Sequence, residues 1–368
     1  MPPNASCTTR LAFLAALPFR NFATSHSSPQ KRSSLKRGGN MSAERSAERR
    51  MPVIYSPVFK DHRPKRVHPE CPERLDACVT ALKENDQLSP LLDWLEPEQV
   101  PGDSERRKNV MEAVRSVHRF EGYLDELQQV CKAGSGLDPD TYVSKQSFEV
   151  ALLAVSAWMQ AVDLACEQRT AWALARPPGH HATPASGMGF CLLSNAAIAA
   201  KYALTKDNVN NVAILDYDVH HGNGTEASVK NEKNIRFASS HQWPLYPGSG
   251  EGGVSGKYEN VLNVTLPPGT DIDTYRDEFE RMLDFVMEDD PELIIVSAGF
   301  DALDVDPLAG LMFRPEDYRL FTQLIFERAG ENTKVIFGLE GGYNLEEGGL
   351  GDAVRESIAG YCVQTESE

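Results

Sequence analysis

The sequence predicts an α/β protein with a mostly parallel sheet that is covered by helices on both faces. From residue 51 onward, short apolar runs of strand length alternate with longer segments of helical periodicity. Polar clusters follow four of the apolar runs, as expected where parallel strands end at one edge of a sheet. This region shows no internal repeat and no linker, so we expect residues 51–368 to form one domain.

The predicted elements follow one another closely along the chain. Short runs rich in β-branched or aromatic residues indicate strands at 53–55, 172–175, 212–215, 260–266, 293–297 and 334–339. Longer periodic segments indicate helices at 72–85, 110–117, 148–167, 194–203, 273–287 and 315–329. The helix at 148–167 is apolar enough to be mostly buried, but no uninterrupted apolar run approaches the ~18 residues that cross a bilayer. A turn-rich loop is predicted at 134–140.

The apolar run 212–215 leads directly into two aspartates and two histidines. Asp216, Asp218 and His220 alternate with apolar residues, so on an extended chain they would share one face. Carboxylate oxygens and an imidazole suit a divalent metal such as zinc. A solvated loop is the alternative, but an unpaired carboxylate so close to a buried strand is costly. The run therefore predicts a metal site.

Asp301 ends a second apolar run, 293–297, in a similar way. It could cap a following helix, since aspartate is a favoured N-cap residue. Together with Asp218 and His220, however, it would complete a set of two carboxylates and one imidazole. Three protein ligands with a fourth position left to water are typical of catalytic zinc, which acidifies its water and polarises a carbonyl.

Two further clusters suggest acid–base chemistry. His180 and His181 follow the strand at 172–175, and adjacent residues on an extended segment point in opposite directions. One could therefore act as a base while the other is held in a hydrogen bond. Tyr343 follows a diglycine that we expect to be flexible, and its phenol could donate to a developing oxyanion. Each residue alone could be structural, but together they favour a hydrolase in which metal-activated water attacks a carbonyl.

At this point the motifs resemble those of the histone deacetylase family of zinc amidohydrolases. They occur in order over about residues 53–361 and comprise His-Pro-Glu-Cys-Pro-Glu-Arg (68–74), Arg-Pro-Pro-Gly-His-His (176–181), Gly-Phe-Cys (189–191), Asp-Tyr-Asp-Val-His-His-Gly-Asn-Gly (216–224), Tyr-Pro-Gly-Ser-Gly (246–250), Ser-Ala-Gly-Phe-Asp (297–301) and Glu-Gly-Gly-Tyr (340–343). The resemblance implies the arginase/deacetylase fold, whose central, mostly parallel sheet has about eight strands.

The resemblance also implies a role for each residue of the site. One zinc ion per subunit would be bound by Asp218, His220 and Asp301. His181 would be the general base and acid, and His180 its electrostatic partner, hydrogen-bonded to Asp216. Tyr343 would polarise the acetyl carbonyl.

A channel and a second cation complete the implied site. The acyl-lysine stem would be held by Gly189, Phe190, Tyr246 and Leu308, and Arg74 would lie near an inner exit for acetate. A structural potassium ion would lie beside Asp216, Asp218, His220 and Ser239. His221 is expected to be structural.

Three positions suggest a place within the family. Asn223, where some members have Asp, resembles the class II and bacterial acetylpolyamine amidohydrolase pattern, and would assist His181 less strongly than an Asp. Tyr343, where weakly active relatives have His, implies an active deacetylase. Leu308 occupies a position where polyamine-specific members carry a Glu that attracts an ammonium group, so it favours a lysine-type substrate.

Residues 1–50 differ in composition from the rest of the chain. They carry nine basic and two acidic side chains, and residues 1–43 hold no Asp or Glu among many Ser, Ala and Thr. This composition is typical of an organelle transit peptide and is similar to that of plant organellar deacetylases. We therefore expect a mitochondrial or chloroplast location, or the cytoplasm or nucleus if translation starts at Met41 or Met51. Seven cysteines without a Cys-x-x-Cys pair indicate a reducing compartment and no disulfide framework.

The charge of the chain limits its partners. The net charge is −16 overall, and it is more negative still from residue 51 onward, which disfavours direct binding of nucleic acid. We expect a zinc-dependent N-acetyl-lysine deacetylase acting on histones or other proteins, with no membrane partner. The alternatives are a deacetylase of acetylpolyamines or other small amines, an arginase-like dinuclear manganese enzyme, and a catalytically silent acetyl-lysine-binding corepressor. The sequence does not predict an oligomeric state.

Overall fold

A single sheet of nine strands lies at the centre of the described residues. The computed structural model describes residues 50–120 and 122–364, with the backbone alone at 363 and 364. The strands are β1 (Met51–Ile54), β2 (Leu92–Leu95), β3 (Ala171–Ala173), β4 (Val212–Asp216), β5 (Ile235–Gln242), β6 (Gly253–Ser255), β7 (Val261–Leu266), β8 (Leu293–Ala298) and β9 (Lys334–Leu339). Their order is β2-β1-β3-β9-β8-β4-β5-β7-β6, and every neighbouring pair is parallel except β6 and β7.

This sheet confirms the predicted class, with one strand more than expected. All six strands predicted individually are present, with ends shifted by at most two residues. Strands β2, β5 and β6 were not predicted. The second half of β5 is Ser-Ser-His-Gln, which is polar although it is buried, so no apolar run marks it. The additional strand β6 is a short, exposed antiparallel edge strand.

Nine α-helices accompany the sheet in the described part of the chain: Glu73–Lys83, Glu105–Val117, Tyr123–Ala133, Ser147–Cys166, Asn195–Ala203, Asn223–Val229, Ile272–Met287, Pro315–Ala329 and Leu350–Gln364. The second begins five residues before the predicted start at 110. Ser104 Oγ accepts a hydrogen bond from Arg107 N (3.2 Å) and stabilises the first turn as an N-cap. The residues of this turn are charged, so the pattern of apolar residues did not indicate it.

The helices form two groups that enclose the core. Ser147–Cys166 and Asn195–Ala203 pack on each other and on central strands, while Ile272–Met287, Pro315–Ala329 and Leu350–Gln364 form the second group. By length and composition, Ser147–Cys166 could span a membrane, although Glu149, Gln160 and Asp163 interrupt its apolar run. However, 78% of its apolar window is buried inside the protein, as in a core helix.

The topology places the predicted clusters side by side. Strands β3, β9, β8 and β4 are consecutive neighbours, and they precede the four clusters at 180–181, 343, 301 and 216–221. Asp216 pairs in register with Ser297 of β8 and Ser239 of β5, so these strands end at similar levels. The predicted convergence of the clusters at one sheet edge is confirmed. The expected leader lies outside the described residues except for Arg50.

Candidate active site

Asp218, His220 and Asp301 form a buried cluster beyond the ends of β4 and β8. Each offers one potential metal-binding atom, and these atoms all lie within 4.8 Å of one another. His220 Nδ1 lies 3.0 Å from Asp301 Oδ2 and 3.2 Å from Asp218 Oδ1. Two carboxylates and an imidazole can hold a divalent cation and leave a position open for another ligand.

The local structure differs from the one that predicted this cluster. Strand β4 ends at Asp216, and the chain then turns, so Asp218 and His220 do not share a face by strand alternation. Asp216 Oδ1 accepts from Asp218 N (3.1 Å), and Asp218 Oδ1 accepts from His220 N (2.9 Å). Asp301 caps no helix; its Oδ1 accepts a hydrogen bond from Val219 N (2.9 Å). The carboxylates of Asp216, Asp218 and Asp301 thus hold the main chain of the loop at 218–220 by accepting hydrogen bonds from its N–H groups.

The electrostatics of this cluster favour a positive charge. Burial lowers the pKa of His220, but Asp301 and Asp218 outweigh it and raise the pKa to about 10. Burial likewise opposes ionisation of Asp218, yet His180 and the hydrogen bond with His220 hold its pKa well below its usual range. The group therefore attracts cations, whether a proton or a metal ion.

The adjacent histidines have opposite protonation preferences. His180 Nδ1 lies 3.2 Å from Asp216 Oδ2, and Asp218 and Asp216 raise its pKa well above the usual value despite burial. His181 Nδ1 lies 2.7 Å from Asn223 Oδ1, and burial together with the charge of His180 holds its pKa well below the usual value. His180 is therefore favoured in its cationic form and His181 in its neutral form, as in pairs with divided acid and base roles.

Hydrogen bonds tie the diglycine loop that carries Tyr343 to neighbouring segments. Gly341 N donates to Asp218 Oδ2 (2.8 Å), and Tyr343 N donates to Asp306 Oδ2 (2.7 Å). A Cβ at position 341 would lie 2.3 Å from Asp301 Oδ2, so the glycine permits close approach to the carboxylates. Burial raises the pKa of Tyr343 well above its usual value, which keeps the phenol protonated.

Three of the four predicted channel residues lie beside His181 or Tyr343. The Tyr246 ring lies 5.1 Å from that of His181, and Phe190 meets Tyr343 edge-on at 5.7 Å. Gly189 has a φ of +55°, and a Cβ there would lie 2.4 Å from His181 Cδ2. Leu308 is half-buried, and its N–H donates to Asp306 Oδ1 (2.9 Å). Tyr246 is 43% exposed, so this part of the site reaches the surface.

Arg74 is fully buried beneath the tyrosine loop. Its Nε donates to Gly342 O (2.7 Å), its Nη2 donates to Glu340 O, and its guanidinium lies 5.0 Å from the Tyr343 ring centroid. Glu70 accepts a bidentate pair of bonds from Arg176 at 2.6 Å each. Burial opposes ionisation of Glu70, but Arg176 holds its pKa well below the usual range, which leaves a carboxylate to balance the buried arginines.

Ser239 lies on β5, which neighbours β4 on the side opposite β8, and His221 follows the end of β4. Ser239 is buried, and its hydroxyl lies 3.1 Å from His241 Nδ1. His221 is held by Ser249 Oγ and Glu226 Oε2, both at 2.9 Å. Both ring nitrogens of His221 therefore have protein partners, consistent with the expected structural role.

The structure adds three buried side chains to which the sequence assigned no role. Asp306 supports Tyr343 and Leu308, as described above. Cys191 Sγ accepts from His181 N (3.4 Å), and Glu340 Oε2 accepts from Gly179 N (2.6 Å). Glu340 and Cys191 belong to two of the family motifs, and this was the feature of the sequence that could have indicated a role for them. His180, Cys191 and Glu340 are also close enough to share an ion, but burial raises the pKa of the Cys191 thiol and disfavours the thiolate that metals bind.

Fold and site together define an α/β protein with a buried cluster of potential cation ligands at one edge of its sheet. The amino-acid sequence of residues 68–359 matches the histone deacetylase domain. An uncharacterized protein of Synechocystis sp. is 47% identical over 296 residues, covering 80% of this chain and 94% of the relative. Histone deacetylase 14, chloroplastic, of Arabidopsis thaliana is 35% identical over 328 residues, covering 83% of this chain and 75% of the relative.

A solved structure agrees with these relatives. The HDA15 HD domain superposes with a TM-score of 0.76 at 28% identity, covering 86% of this chain and 90% of that domain. The chain therefore belongs to the histone deacetylase family. It is a deacetylase, a hydrolase that acts on carbon–nitrogen bonds other than peptide bonds.

Proposed function

We propose that the protein is a zinc-dependent deacetylase that hydrolyses the amide of N-acetyl-lysine in histones or other proteins and releases acetate. The observation that carries this proposal is the position of a neutral histidine beside the three potential metal ligands. The His181 and His220 ring centroids are 5.8 Å apart, and Asp218 and Asp301 complete the ligand set. A base next to an activated water is the basic requirement of metal-assisted amide hydrolysis.

The donor set fits zinc. Asp218 and Asp301 are fully buried, and no Lys or Arg side chain within the described ranges forms an ion pair with either. Two such carboxylates need a cation, and a mixed oxygen and nitrogen donor set suits zinc. Asp218, His220 and Asp301 would hold the ion. When bound, zinc would supply activation of a water molecule and polarisation of the acyl carbonyl.

The histidines would manage the proton. Because Asn223 Oδ1 can only accept, His181 carries its proton on Nδ1 and leaves the Nε2 lone pair available. His181 would take a proton from the attacking water as its oxygen bonds to the carbonyl carbon. It would then return that proton to the lysine nitrogen as the carbon–nitrogen bond breaks. The cationic His180, held by Asp216, would add positive charge beside the developing oxyanion.

Tyr343 and the channel would bind the substrate. The protonated phenol of Tyr343 would donate a hydrogen bond to the carbonyl oxygen as negative charge develops on it. Phe190, Tyr246 and Gly189 would contact the apolar stem of the acyl-lysine. Arg74 would lie near the acetate exit, and a potassium ion would lie beside Asp216, Asp218, His220 and Ser239.

Lysine-type substrates are proposed because of Leu308. Its N–H donates to Asp306, which also supports Tyr343, so residue 308 is linked to the reacting centre. A leucine there offers a secondary ammonium no charge to bind. The test is a comparison of turnover on an acetyl-lysine peptide with turnover on N-acetylspermidine and N-acetylputrescine. We expect at least tenfold higher kcat/KM on the peptide. Equal or higher values on either polyamine would refute the lysine-type assignment and support a small-amine deacetylase.

We also propose that residues 1–50 direct residues 51–368, the catalytic domain, to a plastid. The basic, acid-poor composition supports a transit peptide, and the relative from Arabidopsis thaliana is described as chloroplastic. Fluorescent fusions with and without residues 1–50 test this in plant cells. Plastid fluorescence that depends on those residues is expected. Mitochondrial fluorescence, or a cytosolic signal from both fusions, would contradict the proposal.

A further inference from the structure

Glu340 is a fully buried carboxylate to which the mechanism above gives no task. Its Oε2 accepts hydrogen bonds from Gly179 N (2.6 Å) and His180 N (3.2 Å), and its Oε1 accepts from the Ser297 hydroxyl (3.2 Å). Within residues 50–120 and 122–364, no Lys or Arg side chain forms an ion pair with it. The carboxylate therefore accepts from main-chain and hydroxyl donors, and the neighbouring cationic group is His180.

These contacts join two parts of the site that are far apart in sequence. Gly179 and His180 begin the segment that carries His181, whereas Glu340 begins the loop that carries Tyr343 three residues later. The main chain of Glu340 is fixed, because its N–H donates to Ala298 O (2.9 Å) and its carbonyl accepts from Arg74. The side chain thus extends from a rigid strand end to the histidine segment.

Other contacts also anchor the histidine segment: His181 N donates to Cys191 Sγ (3.4 Å), and Asn195 Nδ2 donates to Pro177 O (3.2 Å). His180 O accepts from Gly224 N and Thr225 N (3.0 Å each), and these bonds hold the far side of the peptide. The N–H groups of Gly179 and His180 face Glu340. If the carboxylate were withdrawn, two buried donors would lose their acceptor, and the segment would have to move to satisfy them.

We propose that Glu340 is a positioning residue that sets the separation between His181 and Tyr343 by holding the main chain of Gly179 and His180. The inference rests on the proposed deacetylase function, since it concerns the base and the oxyanion donor of that reaction. This role requires an acceptor oxygen at the distance from β9 at which Glu340 Oε2 meets Gly179 N and His180 N. Small displacements of reacting groups are costly in rate, so the effect should appear in kcat rather than in KM.

Two variants separate the reach of the side chain from its charge. Glu340→Gln keeps the length and one acceptor oxygen but removes the charge, while its amide can donate to Ser297 Oγ. Glu340→Asp keeps the charge but withdraws the carboxylate from Gly179 N by about one carbon–carbon bond. We expect Glu340→Gln to keep kcat within about threefold and Glu340→Asp to lower it about 30-fold or more, with KM little changed in both.

Ser297→Ala is the matched control, because it removes the contact on Oε1 and leaves both main-chain contacts on Oε2. Its kcat should stay within about twofold of the wild type. A second readout is amide hydrogen exchange of the segment around Gly179–His181, measured with and without zinc. Exchange should be faster in Glu340→Asp than in the wild type and unchanged in Glu340→Gln and Ser297→Ala.

The outcomes are distinguishable from a failure of the proposed function. If the wild type does not release acetate from an acetyl-lysine peptide, the proposed function is wrong and the exchange data still report whether Glu340 holds the segment. Retained kcat in Glu340→Asp, slow turnover in Glu340→Gln, or unchanged exchange in Glu340→Asp would each overturn the proposed positioning role.

Discussion

His181 Nδ1 lies 2.7 Å from the amide oxygen of Asn223. The amide oxygen can only accept, so this contact fixes the proton on Nδ1 and the free lone pair on Nε2. The neutral partner stabilises the imidazolium less than a carboxylate would, and burial together with the charge of His180 already holds the pKa of His181 well below its usual value. His181 is therefore favoured in its neutral form, and it is oriented by an amide that raises its pKa less than a carboxylate would.

Asn223→Asp should move the pH dependence of the reaction. A carboxylate at this position favours protonated His181 and raises its pKa, so the neutral base is lost at a higher pH than in the wild type. The rising limb of the profile of kcat/KM against pH should therefore shift to higher pH by about one unit or more. Asn223→Ala is the comparison variant, and the rising limb of its pH profile should not shift to higher pH. An unchanged limb in Asn223→Asp would exclude His181 as the base.

Asp301→Ala should abolish metal binding, because it removes one of three ligands and leaves His220 Nδ1 without one of its two carboxylates. We expect zinc content after dialysis to fall from about one ion per chain to nearly none. Asp304→Ala changes an exposed aspartate three residues away and should retain the metal. A full zinc complement in Asp301→Ala would show that Asp301 is not a ligand.

Tyr343→Phe should separate metal binding from turnover. The ring and its packing on Phe190 are kept, but the hydrogen bond to the developing oxyanion is lost. Removal of such a donor lowers kcat by about 10²–10³-fold. Zinc content should be that of the wild type, and Tyr258→Phe, at an exposed position, should be fully active. Normal turnover in Tyr343→Phe would remove the phenol from the mechanism.

Asp306→Ala should impair both catalysis and substrate binding. Its two oxygens accept from Tyr343 N and Leu308 N, so the variant frees the tyrosine loop and the channel segment together. We expect kcat to fall about tenfold or more and KM to rise in the same assay. Asp306→Asn keeps one acceptor and should be intermediate. If Asp306→Ala leaves both constants unchanged, the tyrosine loop does not depend on this support.

The sequence predicted the parts of this molecule that are governed by apolar periodicity and by strand ends. Strands β3, β4, β8 and β9 were found because their residues are apolar, and their parallel arrangement brought His181, Asp301 and Tyr343 to one edge. Strand β5 was missed because half of its buried residues are polar, and their partners come from distant segments such as Tyr275.

The supporting contacts could not be predicted, since they join residues that no local pattern relates. No feature of the sequence indicated that Arg74, Asp218 and Asp306, from three other segments, form hydrogen bonds with the diglycine loop. Alternation along a strand predicted that Asp218 and His220 lie together, and they do, but the reason was incorrect because the chain turns after Asp216. Glu340 stands in a visible motif, but the donors it meets lie about 160 residues earlier.

The most direct test of the account measures acetate release from an acetyl-lysine peptide by the purified protein before and after removal of its metal. We predict turnover with one zinc ion per chain, loss of turnover after chelation, and recovery when one equivalent of zinc is returned. Turnover that persists at the same rate in the metal-free protein, or its absence from the fully zinc-loaded protein, would contradict the account.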